Sequence, residues 1–115
     1  METLDALVLF LSQFSVLTEI DLSFCVNLSP DVLNRILSAL PKPELLTTLN
    51  LYYAFNLNDS SIRFVSQCLP ALETLDIGKC YMLSDLSIQY LSKLPKLRRL
   101  RVFAILYMTL ILSSW

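Results

Sequence analysis

The chain has 115 residues, of which 55% are hydrophobic and 17% charged, with a single glycine, no histidine and a formal net charge of −1. That length suits one domain, and the apolar share is too high for a disordered chain. Glycine-rich phosphate loops, imidazole catalysis and histidine-based metal sites are excluded by composition, and the chain lacks the net basic footprint of a nucleic-acid binder.

The first segment, from about Leu4 to Gln13, reads as a helix that closes one end of the fold as a half-repeat. Glu2 and Asp5 stand where a secretory leader needs positive charge, so the segment is assigned to the folded domain. Beyond it the sequence repeats. LTEIDLSFCVNL from Leu17 to Leu28 recurs as LTTLNLYYAFNL from Leu46, LETLDIGKCYML from Leu72 and LRRLRVFAILYM from Leu97 to Met108, with starts 29, 26 and 25 residues apart. The extra length of the first unit falls in Lys42–Glu44, where a surface loop absorbs it at little cost. The organisation is therefore 1–16 as the capping half-repeat, 17–108 as repeats and 109–115 as an apolar tail.

Each unit opens with a short strand, since Ile20 and Leu22, Leu49 and Leu51, Leu75 and Ile77, and Leu100 and Val102 alternate with polar residues at period two. Helical spacing follows, with Asp31, Asp59 and Asp85 expected as N-terminal caps. The apolar helix positions are Val32, Leu33, Ile36, Leu37 and Leu40 in the first unit, Ile62, Val65, Cys68 and Leu69 in the second, and Leu86, Leu91 and Leu94 in the third. Pro41, Pro70 and Pro95 stop the helices. A strand–helix unit of this size cannot bury its apolar stripe alone, so copies must stack. The expected fold is α/β: a short leucine-rich-repeat solenoid of about four strand–helix repeats with an N-terminal capping helix.

The repeat length, the cysteine in LDIGKCYMLSD and LSFCVNLSPD, the Ser/Asn-Asp helix opening and the Leu-Pro that closes it resemble the cysteine-containing leucine-rich repeats of F-box/LRR proteins. The resemblance covers about residues 14–105. It implies a role in choosing protein substrates for a cullin-type ubiquitin ligase, with ligase components among the partners. The F-box helical module of that family is not visible among the sixteen residues that precede the first repeat.

Cys25 and Cys80 hold the same repeat position two units apart, roughly 10 Å at ~4.8 Å per strand, too far for a disulfide. With no histidine and no third ligand, they read as small buried hydrophobes where strand turns into helix, and Cys68 as part of the apolar helix face. No cofactor is expected. No nucleophile, base and metal constellation supports an enzyme.

The strand residues that face away from the helices are the expected binding surface. Alternation places Glu19, Asp21 and Ser23 there, then Thr48, Asn50 and Tyr52, then Thr74, Asp76 and Gly78, then Arg99, Arg101 and Phe103, with Phe24, Tyr53, Lys79 and Ala104 at the strand exits. From these the candidate partner-binding set is Glu19, Asp21, Phe24, Asn50, Tyr52, Tyr53, Asp76, Lys79, Arg99 and Arg101. Stacked units turn such residues into ladders on a concave face, and the row Asp21, Asn50, Asp76, Arg101 runs from acidic to basic. Tyr52 and Tyr53 add the rigid aromatic area that protein-binding hot spots favour.

Charge is unevenly placed along the chain: residues 1–92 hold ten acids and four bases, whereas residues 93–115 hold Lys93, Lys96, Arg98, Arg99 and Arg101 and no acid. The uncharged stretch after Arg101 resembles a short membrane anchor with positive flanks, yet as a helix it reaches only ~21 Å against a hydrocarbon core of ~30 Å. The adopted reading is a last strand followed by an apolar segment that pads the open end. The expectation is an intracellular protein, cytoplasmic or nuclear, that binds a partner protein through the concave face. A tail-anchored protein and a truncated fragment of a larger repeat protein stand as its alternatives.

Overall fold

The computed structural model describes residues 2–103, with side chains from Leu4. The elements run α1 (Glu2–Leu11), β1 (Glu19–Asp21), α2 (Pro30–Ser38), a short 3₁₀ turn (Pro43–Leu45), β2 (Thr48–Asn50), α3 (Asp59–Cys68), β3 (Thr74–Asp76), α4 (Asp85–Leu91) and β4 (Arg99–Arg101). The strands form one parallel sheet in the order β1-β2-β3-β4, with the helices packed behind it in the same sequence. Ala104, Ile105 and Met108 of the fourth unit and the 109–115 tail, with the end-padding and membrane readings attached to it, lie outside the described residues.

β1, β2 and β3 are each only three residues long because the chain turns sharply three positions after the last residue of each. Asp21, Asn50 and Asp76 each accept a hydrogen bond through Oδ1 from the backbone N–H two residues on, at 2.9 Å from Ser23, Tyr52 and Gly78 respectively. This Asx turn bends the chain locally. One residue further, Phe24, Tyr53 and Lys79 take left-handed backbone angles, with φ of 61°, 64° and 58°. Left-handed backbone in a residue with a Cβ costs about 1–2 kcal/mol, and only glycine adopts it freely. The ladder holds these residues there nonetheless, since the Phe24, Tyr53 and Lys79 amides donate to the carbonyls of Tyr52, Gly78 and Phe103 in the next unit. Phe24→Gly is therefore expected to be about 1 kcal/mol more stable than Phe24→Ala in urea denaturation. Equal stability of the two variants would show that no strain is stored at that turn.

The strand positions expected to face inward do so in the two central units, where Leu49, Leu51, Leu75 and Ile77 are fully buried. Their counterparts Ile20, Leu22, Leu100 and Val102 at the two ends of the sheet are only half-buried against the core, because among the described residues a neighbouring strand covers them on one side alone. From the helices, Leu33, Leu37, Ile62, Val65 and Leu91 complete the core.

Several sequence expectations are corrected here. The helix caps are Ser29, Asn58 and Ser84, whose side chains accept from the amides of Val32, Ser61 and Leu86; Asp31, Asp59 and Asp85 follow them inside the first turn. Serine or asparagine stands just before the expected aspartate in the second and third units, and the residue that holds extended backbone becomes the cap. In α4 Leu86 is exposed and Ile88 is buried in its place. The helices end at Ser38, Cys68 and Leu91, short of the prolines. Cys25 is exposed whereas Cys80 is buried. Cys80 Sγ donates to the carbonyl of Leu51 in the preceding unit at 3.2 Å, and burial pushes its thiol up to about 12. Among the described residues no strand lies before β1 in the sheet, so Cys25 has no such cover there.

Asp59, displaced from its expected capping role, ties two units together instead. From the start of α3 its carboxylate accepts from the Ser84 amide at 2.9 Å, the Ser84 hydroxyl at 2.7 Å and the buried Ser87 hydroxyl at 2.5 Å, all at the start of α4. Pro30 holds the matching position in α2 and has no side chain for the task. At the N-terminal end Arg35 Nη2 meets Asp5 Oδ1 at 2.6 Å and joins α2 to α1, an exposed pair of modest value.

Candidate functional face

The face of the sheet turned away from the helices carries two registered rows. Glu19, Thr48, Thr74 and Arg99 form the first, and Asp21, Asn50, Asp76 and Arg101 the second, with the inward-pointing row Ile20, Leu49, Leu75 and Leu100 between them. Charge grades across the sheet, with both exposed acids on β1 and both exposed arginines on β4. These two ends are three strand spacings apart, roughly 14 Å, so they form no ion pair within the chain. The neighbouring Arg98 instead stands 3.6 Å from Glu73.

The second row has a task inside the fold that the strand pattern alone does not disclose. Asp21, Asn50 and Asp76 are the three Asx-turn acceptors, each with one side-chain oxygen already engaged. Hydrogen bonds from Ser23 hold the Asp21 carboxyl below the usual aspartate range. Arg101 breaks the series, since a guanidinium has no acceptor for the turn amide.

At the strand exits the sheet brings four of the expected residues into contact. The Phe24 ring meets Tyr52 edge-on at 5.3 Å and Tyr53 at 5.8 Å between centroids, and Tyr52 lies 6.3 Å from Tyr53. Lys79 Nζ sits 5.9 Å from the Tyr52 ring centre and 5.5 Å from that of Tyr53, cation–π distances that tie the third unit to the second. Phe55, 5.7 Å from Tyr53, extends the patch and escaped the sequence reading because it lies beyond the strand period. Phe24 is 62% exposed while both tyrosines are half-buried. The result is a contiguous aromatic surface with one cation, spanning the first three units.

The one glycine of the chain supports this patch. A Cβ on Gly78 would lie 2.8 Å from Tyr52 Cδ1 and 3.0 Å from Cε1, so the Tyr52 ring rests where any side chain at 78 would stand. Its φ is not left-handed, and space alone demands glycine here.

Among the described residues no three Cys, Asp or Glu side chains gather as a metal site, and no helix is long and apolar enough to cross a membrane. No family model matches the chain, and no curated protein sequence does. Among solved structures it is similar to a chain of the yeast Rad7–Elc1 complex, with a TM-score of 0.61 and 16% identity, covering 76% of this chain and 21% of that one. It is also similar to the C-terminal domain of tropomodulin from Caenorhabditis elegans, with a TM-score of 0.55 and 11% identity over 96% of this chain and 89% of that domain. The chain thus spans about a fifth of the Rad7–Elc1 chain it matches, and at these identities the likeness is one of fold: four parallel strands backed by helices.

Proposed function

We propose that the chain is a leucine-rich-repeat solenoid that acts as a non-enzymatic protein-interaction module, binding a partner protein through the aromatic patch of Phe24, Tyr52, Tyr53 and Lys79. The observation that carries this reading is the patch itself, four aromatic rings and an ammonium gathered from three separate units on the open face. Rigid amphipathic rings lose little entropy on binding, and tyrosine is enriched among hot spots. The F-box/LRR resemblance and the fold likeness to a chain from a protein–protein complex support a partner that is itself a protein, with selection of substrates for a ubiquitin ligase as the specific role.

Gly78→Ala tests the reading without removing a contact group. Gly78 is buried, so a partner does not touch it, but the added methyl must push Tyr52 aside. In quantitative affinity capture from cells, the variant is expected to lose the partners held by the intact chain while its melting point falls only slightly. Retention of every partner at normal yield, with Tyr52 displaced, would dissociate the patch from binding.

A further inference from the structure

We propose that a second copy of this chain docks head to tail, its β4 adding beside β1 in the same parallel register that joins the units within one chain. Among the described residues, the outer edges of β1 and β4 are unpaired, so each presents open backbone groups of the kind that accept an added strand. Continuing the observed register sets Arg99 of the second copy beside Glu19 and its Arg101 beside Asp21. All four are exposed, and the two edges are opposite in sign at both positions. Opposite charges directly across a strand pair stabilise it, while like charges oppose it.

The apolar rows match in the same register. Leu100 and Val102 of the second copy come beside Ile20 and Leu22, and these four are the half-buried members of rows whose central members are fully buried. Beside β1 an apolar cleft of about 400 Å³ opens between α1 and the first unit, lined by Leu4, Leu7, Leu22, Cys25, Val32 and Ile36. Leu22 and Cys25, just past β1, both line that cleft. Cys25 completes the fit. Its counterpart Cys80 donates to the Leu51 carbonyl of the preceding unit, and the equivalent acceptor for Cys25 is the Val102 carbonyl of the second copy. The contact is heterologous, so each docked copy leaves one free edge of either kind and growth does not stop at a dimer.

Sedimentation velocity of the full chain at rising concentration, at low and high salt, tests this. Association beyond a dimer is expected, weakened by salt. Arg99→Glu with Arg101→Glu makes both edges acidic, and Glu19→Arg with Asp21→Asn makes the β1 edge basic while keeping an Asx-turn acceptor, as Asn50 does. Each double variant alone is expected to associate at least about tenfold more weakly, and an equimolar mixture to regain association because it restores opposite charges at the junctions. In the unaltered chain, reaction of Cys25 with a thiol reagent is expected to slow with concentration while that of Cys68 does not. A chain that stays monomeric with concentration-independent Cys25 labelling overturns the proposal. Association that ignores both charge changes, or that the mixture fails to recover, also overturns it and points to a different contact or to another protein's strand.

Discussion

Asp59→Ala is expected to lower the stability of the protein by about 2–3 kcal/mol, more than any other surface aspartate. Three hydrogen bonds converge on this carboxylate, and bonds to a charged acceptor contribute about 1.5–3 kcal/mol against 0.5–1.5 for a neutral pair. The loss falls at the junction of α3 and α4, where Ser84 and Ser87 would lose their partner together, and the Ser87 hydroxyl is buried. The effect also has a pH signature. Burial alone would raise the Asp59 pKa, but the hydroxyls of Ser87 and Ser84 and their amides outweigh it and hold the group below its ordinary value of 3.8. A carboxylate lowered in the folded state contributes stability that is present above its unfolded pKa and is lost as pH falls through the folded one. The gap between intact protein and variant should therefore stand at neutral pH and narrow as acid is added below about pH 4. Urea denaturation at neutral and acidic pH measures both arms. On a Ser87→Ala background the substitution should cost less, because the orphaned hydroxyl is gone. A small gap that ignores pH would mean that water replaces Asp59 at no loss.

Tyr52→Ala combined with Tyr53→Ala is expected to weaken partner binding by about a hundredfold or more, since buried aromatic anchors each contribute about 2 kcal/mol or above at a hot spot. The two rings sit at the centre of the patch, each touching Phe24 and each within cation–π range of Lys79. Lys79→Ala should lose far less, because an exposed cation–π contact is worth about 0.5–1 kcal/mol. Asp76→Ala is expected to fail for another reason: it removes the acceptor that bends the chain at Gly78, so its binding loss should come with a loss of stability. Titration of a captured partner against each variant, paired with a melting curve, separates these cases. Unchanged affinity in the double tyrosine variant would remove the patch from the binding surface.

Much of this fold is written in local pattern. Period-two alternation placed Leu49, Leu51, Leu75 and Ile77 inward, and the recurrence of one string set the number and order of the strands, because strand facing depends only on residues two apart. The aromatic contacts of Phe24, Tyr52 and Tyr53 were within reach for the same reason, once parallel register stacks equivalent positions. The caps were harder to read. Asn58 and Asp59, or Ser84 and Asp85, are both good capping types, and only the backbone angle of each decides which one caps.

What the chain determines by itself is thus the repeat: which residues form strands, which face the core, and where acid and base collect along its length. The tertiary structure alone decided what distinguishes equivalent positions. Cys25 and Cys80 share one motif, yet one is exposed and the other buried, because among the described residues a preceding strand–helix unit covers only the second. Gly78 gained a purpose only when Tyr52 was found lying over it, and Asp59 became a tie between units only because α4 begins within reach of its carboxylate. These are contacts between residues some 25 to 30 positions apart. A repeating pattern specifies the unit, whereas the neighbours that each unit lacks or gains in space assign its residues their separate roles.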